Sequence, residues 1–204
     1  MTAAISAENL KMRRPQTVAT DKMKIRDAVD ADLTALIEIY NAAVATRIET
    51  AQLEPVTMED RRNWLSEHSP NRHPFWVMEC DGAVAGWLTF KEFVPRCAYC
   101  GTAEISVYVG EEFRRRGVAR RLLEEAIARA PSLGVNAMVG LIFAHNEPSL
   151  KLFERLGFER WDCCHALPGS TMSSAISPLW VATSSQRQGR TRSPLASVML
   201  LRDR

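Results

Sequence analysis

Nowhere in its 204 residues does the sequence hold an apolar run long enough to cross a bilayer, and no secretory apolar core follows Met1. A cytoplasmic protein is expected. An excess of one charge is missing too: 26 Lys and Arg against 24 Asp and Glu leave a formal net charge of +2, too little to argue for a nucleic-acid partner. Five cysteines, an odd number without a secretion signal, argue against a disulfide framework. Cys97-Ala98-Tyr99-Cys100 is a C-x-x-C that Cys163-Cys164-His165 could in principle complete as a zinc site. Adjacent cysteines are poor partners for closing a tetrahedral site with a distant pair, so no metal is expected. Asp, Glu, Lys and Arg are absent from residues 163–186, no glutamate follows Glu159, and more than half of the serines lie beyond residue 161. What is present, 46% apolar and 25% charged residues, is the composition of an ordinary globular chain of one domain.

The most informative stretch runs from Glu104 to Glu125 and changes character in its middle. Ala103, Ile105, Val107 and Val109 alternate with Glu104, Ser106 and Tyr108, which predicts a strand. After Gly117 the period becomes helical, with Val118, Leu122, Ala126 and Ile127 in one stripe and the pairs Arg120–Glu124 and Arg121–Glu125 at i,i+4. The turn between them holds Arg114, Arg115, Arg116 and Gly117. Unpaired N–H groups at the helix start then face a positively charged pocket, a seat for a pyrophosphate. By itself this basic run also fits a solvated helix end or a nucleic-acid patch.

Taken in order, residues 1–22 lack apolar periodicity and read as a disordered tail. Lys24–Ala28 is a predicted strand, and Asp30 caps a helix whose Leu33, Leu36, Ile37, Tyr40 and Val44 share a face. Thr57 with Asp60 forms a capping-box pattern ahead of a second helix through Trp64 and Leu65. Phe75–Glu79 and Ala83–Phe90 are strands joined through Asp81-Gly82, a two-residue signal for a type I′ hairpin. Beyond the central strand, turn and helix, Gly134 ends the helical segment and Asn136–Ala144 reads as a strand covered on both faces. Asn146-Glu147-Pro148-Ser149 opens a short helix burying Leu152, Phe153 and Leu156, Gly157 stops it, and Phe158–Trp161 begins another strand. The order β-α-α-β-β-β-α-β-α-β describes a mixed α/β fold with a parallel βαβ-type unit beside an antiparallel hairpin.

The spacing Arg114-x-x-Gly117-x-Ala119 resembles the acyl-CoA loop of the GNAT superfamily of N-acetyltransferases, written (Gln/Arg)-x-x-Gly-x-(Gly/Ala). Three further stretches are similar to one branch of it, the phosphinothricin and methionine-sulfone N-acetyltransferases. They are Ile39-Tyr40-Asn41 with Glu54-Pro55-Val56-Thr57, the segment from Tyr99 to Val109, and Asn146-Glu147-Pro148-Ser149 with Leu156-Gly157-Phe158. The resemblance spans residues 23–161. It implies the acyl-CoA N-acyltransferase fold, a central mixed twisted sheet flanked by helices, whose two parallel strands splay to admit pantetheine. It further implies acetyl-CoA as acyl donor and a small amino-acid-like amine as acceptor.

Carried over by position, Val107, Tyr108 and Val109 would present backbone to the pantetheine and thioester. Arg114, Arg115, Arg116, Gly117, Val118, Ala119 and Arg120 would hold the diphosphate, and Asn146 would reach the CoA arm. Glu104 falls at the position of the general base, and backbone N–H groups of the splayed strand would stabilise the oxyanion. Acceptor contacts are expected from the loops around residues 40–50 and 96–102, with Arg96 and Tyr99 foremost. Phe153 stands where many relatives have a tyrosine and this branch often a histidine, and it cannot protonate a departing thiolate.

Residues 162–204 leave the family pattern. Their expected arrangement is an unstructured stretch from about Ser170 to Ser193 with Leu195–Leu201 docked as a last strand. The partners expected are a small-molecule amine, with no nucleic acid and no membrane; a homodimer is compatible with the sequence. A GNAT-fold protein that binds acyl-CoA with little or no turnover is the alternative reading, motivated by Phe153 and the divergent end. Acetylation of protein N-termini is a third, which predicts activity on peptides and none on free amino acids.

Overall fold

A computed structural model describes residues 22–61 and 63–161 and, for the backbone alone, residues 179–183. Seven strands form one sheet: β1 (Met23–Asp27), β2 (Phe75–Cys80), β3 (Ala83–Glu92), β4 (Thr102–Val109), β5 (Ala137–Leu141), β6 (Glu159–Trp161) and β7 (Leu179–Thr183). Their spatial order is β1-β2-β3-β4-β5-β7-β6. Every neighbouring pair is antiparallel except β4 and β5. The helices are α1 (Leu33–Thr46), α2 (Val118–Arg129) and α3 (Glu147–Arg155). Among the described residues no helix is long and apolar enough to cross a membrane.

The alternation of the strands divides the core in two. Trp76, Met78, Leu88, Phe90, Ala103 and Ile105 face α2 and α3, where Val118, Leu122, Leu123, Ala126 and Phe153 meet them. Phe75, Val77 and Trp87 face α1, packed against Leu36, Ile37, Tyr40 and Val44. Strand β2 is therefore apolar on both sides, as its near-continuous hydrophobic run requires. At the β2–β3 turn Asp81 (φ 50°) and Gly82 (φ 88°) both adopt positive φ, the geometry of the expected type I′ hairpin.

Several local expectations are corrected. Residues 58–61 and 63–67 form turns in place of a second helix. The predicted box itself is made, since Thr57 N–H donates to Asp60 Oδ2 (2.8 Å) and Asp60 N–H to Thr57 Oγ1 (3.2 Å). Trp64, however, is drawn into the aromatic cluster beneath α1, and its contacts with Tyr40, Phe75 and Trp87 set the backbone path that helix propensity alone leaves open. The start of α1 is held by Asp32 rather than Asp30. Asp32 accepts the Val29 N–H (2.9 Å) and a bidentate pair from Arg26 (2.6 and 2.9 Å), and Arg26, ahead of burial, keeps its carboxyl below the usual carboxylate range. On α2 the pair Arg120–Glu124 forms at 2.8 Å, whereas Glu125 bonds Arg129 (2.7 Å) and not Arg121.

The C-terminal expectation changes too. The uncharged stretch supplies β7, which inserts between β5 and β6, so residues 170–193 are not uniformly unstructured. The segments 1–21 and 195–201 lie outside the described residues.

Phe153 is 3% exposed, with its ring centroid 4.7 Å from that of Phe158. A Cβ added at Gly140 of β5 would stand 2.6 Å from Phe153 Cε1. With Phe158 behind it the ring has little room to retreat, so Gly140→Ala should cost about 1–3 kcal/mol. Thermal melts would show this as a lowered Tm, regained in part by combining the change with Phe153→Leu.

Candidate active site

Strand β4 pairs with β5 only over Thr102, Ala103 and Glu104, opposite Ala137, Met138 and Val139. Its remaining residues, Ile105 to Val109, continue to pair with β3 through Gly86–Phe90. The two parallel strands part at Glu104, and the β5-side edge of Val107, Tyr108 and Val109 has no partner strand among the described residues. On the α1 face the antiparallel register sets Lys91 opposite Glu104, Thr89 opposite Ser106 and Trp87 opposite Tyr108.

Glu104 is half-buried at this parting point. Burial pushes its carboxyl above the usual carboxylate range, and the Lys91 ammonium across the strand pair opposes that shift. Replacing the cation with a neutral chain, Lys91→Met, should therefore raise the Glu104 pKa further. Any activity that requires ionised Glu104 would then have an acid limb displaced to higher pH, and comparing rate profiles of the two proteins measures that displacement.

The turn after β4 places its cations by unusual backbone. Arg115 has φ 62°, and Gly117, immediately before α2, has φ 85° with no atom within 4 Å of where a Cβ would stand. The first backbone donor bonded within this turn of helix is Arg121 N–H, to Gly117 O at 3.0 Å, so the N–H groups of Val118, Ala119 and Arg120 precede the helical ladder. Val118 is 1% exposed and its side chain belongs to the core, so only its backbone can serve a ligand. Arg120 is ion-paired to Glu124, Arg116 lies 5.5 Å from the Phe113 ring, and Arg114 bonds Glu49 at 2.9 Å.

That last pair exposes a feature the sequence did not signal. Residues 47–50, just past α1, reach both sides of the parted strands. On one side Glu49 holds Arg114, and Thr50 meets the Tyr40 hydroxyl at 3.0 Å. On the other, the carbonyls of Arg47 and Ile48 lie 3.4 Å from His145 Nε2 and Asn146 Nδ2. Asn146 is 7% exposed and also caps α3, accepting the Ser149 N–H at 3.2 Å. Tyr108 stands against Tyr40 and Trp87, centroids 5.2 and 4.5 Å away, and burial followed by Tyr40 pushes its phenol well above the ordinary range.

The second expected acceptor element, the turn between β3 and β4, carries Arg96 exposed and Tyr99 half-buried. Gly101 O ties the end of this turn to Asn136 N–H (2.7 Å) and Ala137 N–H (3.1 Å) at the start of β5. Among the described residues neither Arg96 nor Tyr99 has a side-chain hydrogen bond to Glu104. Cys163, Cys164 and His165, weighed and set aside as zinc ligands, lie outside the described residues. Phe153 sits in the core over Gly140, so its ring is packing material at that position.

Known proteins are similar to this chain in sequence and in fold. The sequence profile of the Acetyltransferase (GNAT) family matches residues 36–158. The YwnH protein of Bacillus subtilis (strain 168), provisionally named a phosphinothricin acetyltransferase, is 48% identical over 140 residues, covering 68% of this chain and 85% of its own. The L-methionine sulfoximine/L-methionine sulfone acetyltransferase of Pseudomonas aeruginosa (strain PAO1) is 35% identical over 136 residues, 66% of this chain and 79% of its own. A phosphinothricin acetyltransferase from Sinorhizobium meliloti, solved in complex with acetyl-CoA, superposes with a TM-score of 0.68 at 29% identity. That likeness covers 79% of this chain and 88% of the other.

Proposed function

The chain belongs to the acetyltransferase (GNAT) family and is an N-acetyltransferase; from that premise we propose that it acetylates the α-amine of a small amino acid of the phosphinothricin or methionine-sulfone type. Acetyl-CoA, bound in solved relatives, supplies the thioester from which the acetyl group leaves. The residues present suit that donor. The open space at Gly117, the three N–H groups ahead of the α2 ladder and the neighbouring arginines match a diphosphate. The unpartnered edge of Val107–Val109 offers backbone to an amide-bearing arm. Asn146, committed to the α3 cap and to residue 48, would act on that arm by fixing the wall beside it.

The observation that carries the reading is Glu104 at the point where β4 and β5 part, its carboxyl raised by burial. A free α-amino group, with a pKa of about 7.7–8.0, is mostly protonated at neutral pH and must lose a proton to become a nucleophile. A carboxylate with a raised pKa is better matched to receive it, directly or through one water. Phe153 provides no acid for the leaving sulfur. A thiol of pKa about 8.5 leaves without one at moderate cost, so turnover is retained. Arg96 and Tyr99, on the turn leading into β4, would meet the acceptor's carboxylate and side chain.

The test is product formation, followed by mass spectrometry, across the common amino acids, phosphinothricin, methionine sulfone and methionine sulfoximine, with free-N-terminus peptides as contrast. Acetylation of the small amino acids and none of the peptides is expected. Preference for peptides would replace this reading with protein N-terminal acetylation. Binding of acetyl-CoA with no acetylated amine would leave only a CoA-binding protein.

A further inference from the structure

The C-x-x-C segment has no part in the transfer reaction, yet the fold presents it in a particular way. Cys97, Ala98 and Tyr99 form one 3₁₀ turn, and Cys100 continues it with right-handed φ −62° and ψ −18°. Cys100 N–H donates to Cys97 O at 3.3 Å, closing the turn, and Tyr99 N–H donates to Arg96 O at 2.8 Å. Residues three apart on such a turn eclipse one another and, at about 2 Å rise per residue, lie about 6 Å apart. That falls within the range of about 4.4–6.8 Å that a disulfide spans between Cα atoms. Both thiols are free and exposed, unlike Cys80, which is buried. Among the described residues no group of three or more His, Cys, Asp or Glu could hold a metal ion, so no such cluster claims this pair.

We propose that Cys97 and Cys100 form a reversible thiol–disulfide couple that senses hydroperoxides and, when oxidised, resets the turn that meets the acceptor. One thiolate attacks the peroxide: an S–O bond forms, the O–O bond breaks, and the departing oxygen takes a proton to leave as water or alcohol. The second thiolate then attacks the resulting sulfenic sulfur, forming the S–S bond and expelling hydroxide, which takes up a proton as water. With hydrogen peroxide, two thiols and one peroxide give one disulfide and two waters.

The position makes the couple consequential. Cys97 follows Arg96 directly in the chain, and Tyr99 comes between the two cysteines. Cys100 precedes Gly101, whose carbonyl is anchored to Asn136 and Ala137 of the neighbouring strand. The C-terminal end of the turn is thus fixed, and adjustments required by S–S closure fall on its N-terminal part, where Arg96 is exposed. Oxidation would therefore change acceptor recognition while leaving the diphosphate loop, on the far end of β4, unaffected. This effect on turnover rests on the acceptor assignment proposed above; the pairing of the thiols does not.

The test begins with the full chain, reduced and then treated with a small excess of hydrogen peroxide before remaining thiols are blocked. Cleavage after Arg96 and Arg114 releases residues 97–114, which contain both cysteines of the turn and no other. The expected peptide is unblocked and two hydrogens lighter than its reduced form, and dithiothreitol restores it. This readout needs no turnover, so it stands even if no amine substrate is found. In parallel, the acceptor KM should rise several-fold on oxidation with acetyl-CoA affinity unchanged, and Cys97→Ser and Cys100→Ser should keep reduced-state activity but lose the response. A peptide 97–114 that remains fully blocked, or is driven to sulfinic acid without passing through the disulfide, overturns the couple. A disulfide that forms with the acceptor KM unmoved overturns its control of the site.

Discussion

Glu104→Gln is expected to lower turnover at pH 7 by about two to four orders of magnitude, the usual contribution of a positioned acid–base group, while leaving acetyl-CoA affinity near that of the wild type. The deficit should narrow as pH rises above the amine's own pKa, because the nucleophile then arrives deprotonated. Stability supplies an independent check with a definite sign. The folded-state pKa of Glu104 is raised by burial, so this group favours folding at low pH, and that contribution is lost as pH rises through the raised value. The Gln variant should accordingly melt at a higher temperature than the wild type at pH 7, and the two should converge below the ordinary carboxylate range. A variant as active as the wild type at pH 7 removes Glu104 from the proton transfer. A variant both inactive and less stable would point to a packing role.

Gly117→Asp should weaken acetyl-CoA binding by at least about a hundredfold, since a like charge set against a phosphate costs several kcal/mol. Position 117 suits this experiment because an added side chain meets nothing within 4 Å, and aspartate and asparagine are the non-glycine residues that best tolerate left-handed φ. The fold should therefore survive the change. Gly117→Asn carries the same backbone strain without the charge and should lose much less. Titration calorimetry of the three proteins separates the two contributions, and equal losses in both variants would show that strain, not charge, is responsible.

What could be read ahead of the structure was what local chemistry dictates. Asp81-Gly82 specified its turn because few other pairs tolerate two successive positive φ values. The change of period at Gly117 located the junction of β4 and α2, and the capping asparagine at 146 located the start of α3. Errors arose where a tertiary contact outweighed a local preference. Trp64, edge-on to Tyr40, and Arg61, over the Tyr40 ring, took residues 58–61 and 63–67 out of a helix that only its cap favoured. Arg26 selected Asp32 over Asp30, and Arg129 won Glu125 from Arg121. Strand β7 was missed for a different reason. Leu-Trp-Val-Ala-Thr is a good β sequence, but it stands in an uncharged, serine-rich stretch whose composition favours disorder. Contacts such as Glu49–Arg114 join residues 65 apart in the chain, and no periodicity encodes them.

The parting of β4 from β5 has a further consequence, for solubility. From Ile105 to Val109 the interior of the sheet keeps one row of peptide groups without a strand to bond among the described residues, beside apolar side chains. Such a row is a template that another chain can join, the hazard ordinarily met at the outermost strand of a sheet. A donor molecule lying along it, as proposed above, would fill the place of that strand and deny it to a second protein. Aggregation of the concentrated protein should therefore slow when acetyl-CoA is present, and free enzyme in a cell short of acetyl-CoA would be the form most prone to self-association.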